Sequence, residues 1–241
     1  VYKRQNEAVQ VLQGHFVSKE AEYQKYCQID ILENDPAGMI KRLQSYTERL
    51  THIPFYTQVE DIIKVGIARY KEKYLPGIKS EDPFVLYEKY SRRDVSLLMN
   101  CGKDLSSIMY GMKRIENDVF IFITYHKEES QDEKNYVDGK PDYADAFEDN
   151  LIFKWDSQIG KGLDSSYMKD VLGADRKHLF VKKSDAETSF YYMGQFDVLE
   201  ARNAQKEDNR GRMQPITKVT MKMHHAVRED LLRYLQSHIT A

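Results

Sequence analysis

The chain has 241 residues, 41% apolar and 31% charged, with a formal net charge of −2. That suffices for one large domain or two small ones with a packed core. The balance excludes a generally basic protein that coats nucleic acid, so any DNA site has to be a local patch.

The chain starts at Val1, without methionine and inside an amphipathic pattern, and reads as a fragment of something longer. Residues 1–83 read as a helical module. Asp35-Pro36 has the form of an N-cap followed by proline at the first helical position, and Ile40, Leu43, Thr47 and Leu50 follow near helical spacing. A second stripe holds Val59, Ile62, Ile63, Ile67, Tyr70 and Tyr74, and stops at the breaker Leu75-Pro76-Gly77.

The texture changes at residue 84. Ser91-Arg92-Arg93-Asp94 has capping-box form and predicts a short helix ending at Asn100-Cys101-Gly102. VFIFITY (119–125) predicts a strand buried on both faces. LIFKW (151–155) alternates and puts Leu151, Phe153 and Trp155 on one side. HLFVKK (178–183) and SFYYMGQFDVLE (189–200) read as strands joined by a turn, and NRGRMQP (209–215) as a flexible basic loop. TKVTMKM (217–223) alternates with Val219, Met221 and Met223 inward. A last amphipathic helix, opened by His224-His225, carries Val227, Leu231, Leu235 and Ile239. The expected class is α+β, with residues 84–241 forming a curved sheet or small β-barrel with flanking helices.

Charge is uneven. Residues 127–149 carry three lysines against nine acids, a loop composition, whereas residues 200–228 carry seven Lys/Arg against three acids. No Walker-type phosphate loop, HExxH, paired CxxC or GxSxG occurs. Cys27 and Cys101 have no metal spacing and read as reduced thiols of a cytoplasmic protein, and no apolar run reaches the length of a membrane span. A magnesium nuclease would place an acid two residues before Lys154, but Ile152 stands there. No catalytic residue, metal ligand or cofactor is assigned within the chain.

Binding remains. Lys127, Lys182, Lys183, Arg210, Arg212, Lys218 and Lys222 are candidates for phosphate contacts, with Lys218 and Lys222 about 13 Å apart on one strand face. Arg92 and Arg93 join them at a helix start. Trp155, followed by Asp156, Ser157 and Gln158, has two readings: a ring that grips a nucleobase beside hydrogen-bonding groups, or a core residue at a strand end.

YEKYSRRDV (87–95), TYHK (124–127), YADAF (143–147), FKWDSQ (153–158), LFVKK (179–183) and FYYMG (190–194) occur in that order. Together they resemble the C-terminal uncharacterised domain of many bacterial superfamily 2 helicases and of SauUSI-like, modification-dependent type IV restriction enzymes. Lys182 departs from that pattern, where arginine is usual, and so does His126, where an acid is common.

The resemblance implies an SRA/PUA-like fold and recognition of 5-methylcytosine or 5-hydroxymethylcytosine in double-stranded DNA. It also implies that the nuclease and ATP- and Mg-dependent helicase domains of a bacterial parent chain are partners, with residues 1–83 coupling reader to motor. A reader of this kind rotates the base out of the stack. Tyr143, Trp155, Tyr125 or Tyr191 would stack on it, and Asp145, Asp156, Ser157 and Gln158 would bond its edges. Tyr143 and Asp145 form the preferred pair, because an offset of two on an extended segment points both side chains the same way. The alternatives are a protein-interaction module of a helicase without a base pocket, and the magnesium nuclease.

Overall fold

The computed structural model describes residues 31–34, 39–73, 83–126, 145–208 and 210–237, together with Leu12 and residues 136–137 and 140–141. Backbone contacts divide the chain into two units, residues 1–85 with 92–107, and residues 86–91 with 108–241. Among the described residues no helix is long and apolar enough to cross a membrane.

In the first unit, β1 (Leu32–Asn34) and β2 (Ile40–Arg42) form an antiparallel hairpin that leads into helices α1 (Gln44–Arg49) and α2 (Ile53–Lys73). The helix expected from residue 36 is therefore corrected at Ile40–Arg42. Leu32–Asn34 give these residues a cross-strand partner, which helical spacing within 36–50 cannot reveal. Asp35 and Pro36 lie outside the described residues. The stripe predicted at 59–74 lies on α2 as far as Tyr70, and Ile62, Ile63 and Ile67 are exposed by half or more; Tyr74 and the breaker at 75–77 lie outside the described residues. Helix α3 (Arg92–Leu98) follows Ser91 as its capping pattern predicts, and Asn100 beyond its end has φ of 53°.

The second unit is built on strands β3 (Lys89–Tyr90), β4 (Met112–Ile115), β5 (Asp118–His126), β8 (Ala146–Phe147), β9 (Ile152–Asp156), β10 (Arg176–Ser184), β11 (Phe190–Glu207) and β12 (Met213–Met223). A separate two-stranded ribbon pairs β6 (Tyr136–Val137) with β7 (Lys140–Pro141). Helix α4 (Ser166–Leu172) precedes β10, and α5 (Glu229–Gln236) follows β12.

The eight strands form one sheet in the order β4-β5-β10-β11-β12-β9-β8, with β3 also on β11. Among the described strands only β5 and β10 run parallel. Among the described residues β4 and β8 stay unjoined, so the sheet is open and the closed-barrel alternative is set aside.

Strand β5 is buried on both faces, as VFIFITY predicts, and period-two alternation explains why. Val119, Ile121, Ile123 and Tyr125 enter the main core with Phe153, Trp155, Val219 and Met221. Phe120 and Phe122 enter an aromatic layer on the other face. There Phe122 stacks on Phe180 at 5.1 Å, and Phe180 lies 5.0 Å from Tyr192.

Two boundaries differ from expectation. Strand β11 runs seven residues beyond Glu200, because β12 pairs with it in register from Phe196↔Met223 to Glu207↔Met213. Residues expected in a flexible loop are thus largely hairpin. Helix α5 begins at Glu229, so His224, His225 and Val227 precede it; Ile239 lies outside the described residues.

Candidate nucleic-acid interface

Strand pairing dictates which side chains share the outward face of β9, β12 and β11. Directly opposed residues point the same way. Lys218 faces Asp156 on one side and Arg202 on the other, and Thr220 faces Lys154 and Glu200. Lys222 lies two residues further along β12 on the same face. Trp155, Val219 and Ala201 alternate with these and turn into the core.

The outward face therefore carries Lys154, Lys218, Lys222 and Arg202, and Lys206 continues the alternation along β11. Acids temper it. Lys218 Nζ donates to both Asp156 oxygens at 3.2 Å, and Arg202 lies 3.8 Å from Glu200. Lys222 is exposed.

The inward face of the same ribbon meets the turn that leaves β9. Ser157 is buried and organises that turn: its hydroxyl donates to Lys161 O at 2.7 Å and accepts from Thr217 N at 2.8 Å. Gly160 N donates to Pro215 O at 2.9 Å. Leu163 N donates to Asn203 Oδ1 at 2.8 Å, which fastens the loop to β11. A β-carbon on Gly162 would sit 3.3 Å from Pro215 Cβ, so glycine lets the two chains approach. Ser165 caps α4, accepting from Met168 N at 3.3 Å.

Between loop and ribbon opens a cleft of about 510 Å³, lined by Leu163, Asp164, Ser165, Asn203, Gln205 and Pro215, among others. Its volume falls within the range of small-molecule sites, roughly 300–1,000 Å³, but it is an open surface cleft in which Asp164, Asn203, Gln205 and Pro215 are all exposed. Leu163 and Pro215 give it apolar walls, and Asp164, Asn203 and Gln205 give it a carboxylate and two amides.

Sequence reasoning missed this cleft. Gly160-Lys161-Gly162 is too short for a phosphate loop, and Asn203 and Gln205 fall beyond the expected strand end. The available signal was the unbroken alternation Ala201, Asn203, Gln205 after Glu200. Pro215 reads as a breaker, yet β9 has already ended opposite Lys218, so the missing N–H leaves no ladder bond unmade.

The residues expected to hold a base have other surroundings. Trp155 is 3% exposed, tilted against Tyr167 at 6.3 Å, and belongs to the core: the second of its two readings. Its place on the inward row between Phe153 and Ser157 puts it there. Tyr125 is also core, with burial raising its phenol pKa. Asp145 is buried and accepts from Asp156 N at 2.9 Å, fastening the start of β8 to the end of β9. Gln158 is exposed and donates from Nε2 to Tyr110 O at 3.1 Å. Tyr191 lies against Tyr234 at 6.0 Å with Lys89 Nζ 4.5 Å over its ring. Asp145, Trp155 and Gln158 do converge on Tyr167. Burial, with the charge of Asp145, pushes the Tyr167 hydroxyl well above the ordinary phenol pKa. Tyr143 lies outside the described residues.

Several of the expected phosphate ligands are tied to structure. Arg93 Nε bonds Asp104 at 2.7 Å, and Asp104 also accepts from Ser106 N; Arg92 is half-buried in the same first unit. Lys182 donates to Glu187 O at 3.0 Å, and Lys183 to Ser237 Oγ at 2.7 Å. Arg212 makes two bonds to Asp208 Oδ2, and Asp208 Oδ1 accepts from the backbone of Arg210 and Arg212. The basic loop is thereby a tight turn held by one aspartate, with Arg210 exposed at its tip. Lys127 lies outside the described residues. Lys218 and Lys222 do share one strand face. Lys154, Arg202 and Lys206, which sequence reasoning left out, lie on it too.

Comparison with curated proteins finds no match. Among solved structures, the chain is similar to the sulfur-binding domain and SRA domain of ScoMcrA complexed with phosphorothioated DNA. Identity is 10% and the TM-score 0.33, over 64% of this chain and 45% of that one. It is also similar to the MspJI restriction endonuclease in complex with a 27-mer oligonucleotide. Identity is 11% and the TM-score 0.30, over 48% of this chain and 37% of that one. The chain thus spans less than half the length of either. At these TM-scores the likeness fixes neither a shared fold nor a shared site. The sequence match is firmer: residues 84–235, well over half of the chain, fit the family model described as "Domain of unknown function (DUF3427)", and the chain belongs to that family.

Proposed function

We propose that this chain reads modified cytosine in double-stranded DNA and is the non-catalytic, target-reading part of an ATP-dependent type IV restriction enzyme of a bacterial cytoplasm. The observation that carries the reading is the pairing of two surfaces on one β-ribbon. A basic outward face suits a phosphate backbone, and the inward face borders a cleft with a carboxylate and two amides. The ordered motifs that resemble the reader domain of SauUSI-like enzymes supply the modified base as ligand.

Phosphate contacts from Lys154, Lys218, Lys222 and Arg202 hold one strand on the outward face, and the duplex bends round the end of the ribbon beyond β9 so that the cleft on the other face is reached; these contacts carry no sequence information. One cytosine leaves the stack, at a cost of a few kcal/mol. It enters the cleft between Leu163 and Pro215. Asp164 accepts from the exocyclic amine, the pairing that suits cytosine. Gln205 bonds a second edge, and the apolar wall takes the 5-methyl group. The slot lies along the turn that follows Trp155 and not at Trp155 itself, which is a core residue.

The test is equilibrium binding of the chain to duplexes of one sequence carrying cytosine, 5-methylcytosine or 5-hydroxymethylcytosine. Preference for a modified duplex is expected, and Asp164→Ala and Gln205→Ala should remove the preference while leaving salt-dependent binding. Equal affinity of the wild-type chain for all three ends the proposal.

A second reading is favoured by α2, whose exposed Ile62, Ile63 and Ile67 suit a helix that packs on another protein surface. In this reading the first unit is the coupling module toward the motor. Hydrogen exchange along residues 53–73 tests it, since the slowing expected with the motor domains present would be missing if α2 had no partner there.

A further inference from the structure

The loop that enters β4 presents apolar side chains to solvent. Ile108 is 54% exposed and Tyr110 65% exposed, and Ile159 on the neighbouring turn is 42% exposed. Such residues are ordinary singly, but these three stand on two loops joined by a hydrogen bond, from Gln158 Nε2 to Tyr110 O.

The backbone beneath them is fixed at several points. Tyr110 O also accepts from Met112 N at 2.9 Å, and Gly111 O accepts from Phe122 N at 2.7 Å. Gly111 has φ of 73°, and a β-carbon there would lie 2.5 Å from Gln158 Nε2. The loop is thus held in a conformation that other residues adopt only with strain, and the Gln158 amide would have to shift to admit a β-carbon. A rigidly held aromatic ring loses little further entropy on binding.

This rim is continuous with the cleft. Gln158 and Ile159 belong to the turn that Ser157 organises, and Gly160 donates to Pro215, a cleft residue. One short turn therefore has an apolar rim at one end and a polar slot at the other.

We propose that Tyr110, with Ile159 beside it, packs against the base stack next to the cytosine held in the cleft. This rests on the modified-DNA reading above and assigns the rim to a positioning role. A planar ring suits bases of any sequence, because every base has a π-face. Apolar side chains that enter a duplex partly unstack a step and hold it open. The rim packs on the stack whether or not the neighbouring cytosine is extruded, and the cleft alone selects the modification.

The test measures affinity of the full chain for modified and plain duplexes as wild type, Tyr110→Ala, Tyr110→Phe and Ile159→Ser. Tyr110→Ala is expected to weaken binding to both duplexes about tenfold, within the range of one base–aromatic stack. The preference for the modified duplex and the salt slope stay unchanged, because neither the cleft nor a phosphate contact is lost. Tyr110→Phe restores wild-type affinity, and Ile159→Ser gives a smaller loss. Wild-type affinity in Tyr110→Ala overturns the rim and leaves the reader standing. A Tyr110→Phe variant as weak as Tyr110→Ala also overturns it, since the hydroxyl would then be what matters. Failure of the wild-type chain to bind any duplex overturns the DNA reading and the rim with it.

Discussion

Trp155→Ala separates the two roles sequence reasoning left open for the tryptophan. In the folded chain its side chain is 3% exposed, among the buried residues that include Phe153, Val219 and Met221. A buried tryptophan removes roughly 200 Å² from water, worth about 5 kcal/mol at about 25 cal/mol/Å². Measured Trp→Ala losses run at about 3–5 kcal/mol, because the site partly collapses. For a domain of this size that lowers the melting temperature by roughly 10 °C. The chain has a single tryptophan, so emission excited selectively at the indole, beyond the absorption of its 17 tyrosines, reports on this position alone. Thermal melts followed by circular dichroism give the stability loss. Emission of the wild type should be blue-shifted, resistant to iodide quenching and unchanged by saturating DNA. A variant melting within about 2 °C of wild type, or emission quenched on DNA binding, would refute the core assignment and return the ring to the base site.

Asp118 is 2% exposed as a residue and bonds Arg176 twice, at 2.6 and 2.7 Å, with His178 Nε2 3.9 Å away. Burial alone would raise its pKa, but the polar ring of His178 beside it and the two bonds and charge of Arg176 outweigh that and hold the carboxyl below the usual value. A depressed folded pKa gives stability that is full above the unfolded value of about 3.9 and is lost as pH falls through the folded one. Asp118→Asn should cost about 2–3 kcal/mol in urea unfolding at pH 7, and the variant should lack this acid-dependent step; an unchanged midpoint would count against it. Lys222→Ala should lower the slope of log K against log salt by about 1 and Lys218→Ala by less, because Asp156 already pairs with it, while Lys183→Ala, tied to Ser237, leaves it alone. The opposite pattern would move the DNA face to β10. Gly111→Ala should destabilise by about 1–2 kcal/mol, given its positive φ and the contact with Gln158. By contrast, Gly66→Ala on α2, with nothing within 4 Å, should stabilise by about 0.5–1 kcal/mol. Calorimetry of both variants checks the pair, and equal shifts would contradict the assignment.

The strands were legible where one physical pattern dominated. VFIFITY reads as a doubly buried strand because both its faces meet packed layers, and TKVTMKM alternates because only one does. Ile40–Arg42 was misread, because a hairpin partner outside the window supplied the bonds. The cleft was illegible for a related reason. Its two walls, residues 162–165 and 203–205, are some forty positions apart, and long-range bonds such as Leu163–Asn203 and Gly160–Pro215 bring them together. Hydrogen-bonding residues after a tryptophan suggested a base site, but Ser157 bonds a backbone carbonyl and amide and shapes the turn instead. Lysines 182 and 183 looked like their neighbours in sequence, yet their partners, Glu187 and Ser237, are set by the turn and the last helix.

The central claim is that a modified cytosine leaves the duplex and occupies the cleft beside Asp164. The most direct measurement places 2-aminopurine opposite the target cytosine and follows its fluorescence as the chain is added. A rise is expected with 5-methylcytosine, a smaller one with cytosine, and none with Asp164→Ala at matched occupancy. A signal that stays flat while the duplex is fully bound would contradict extrusion.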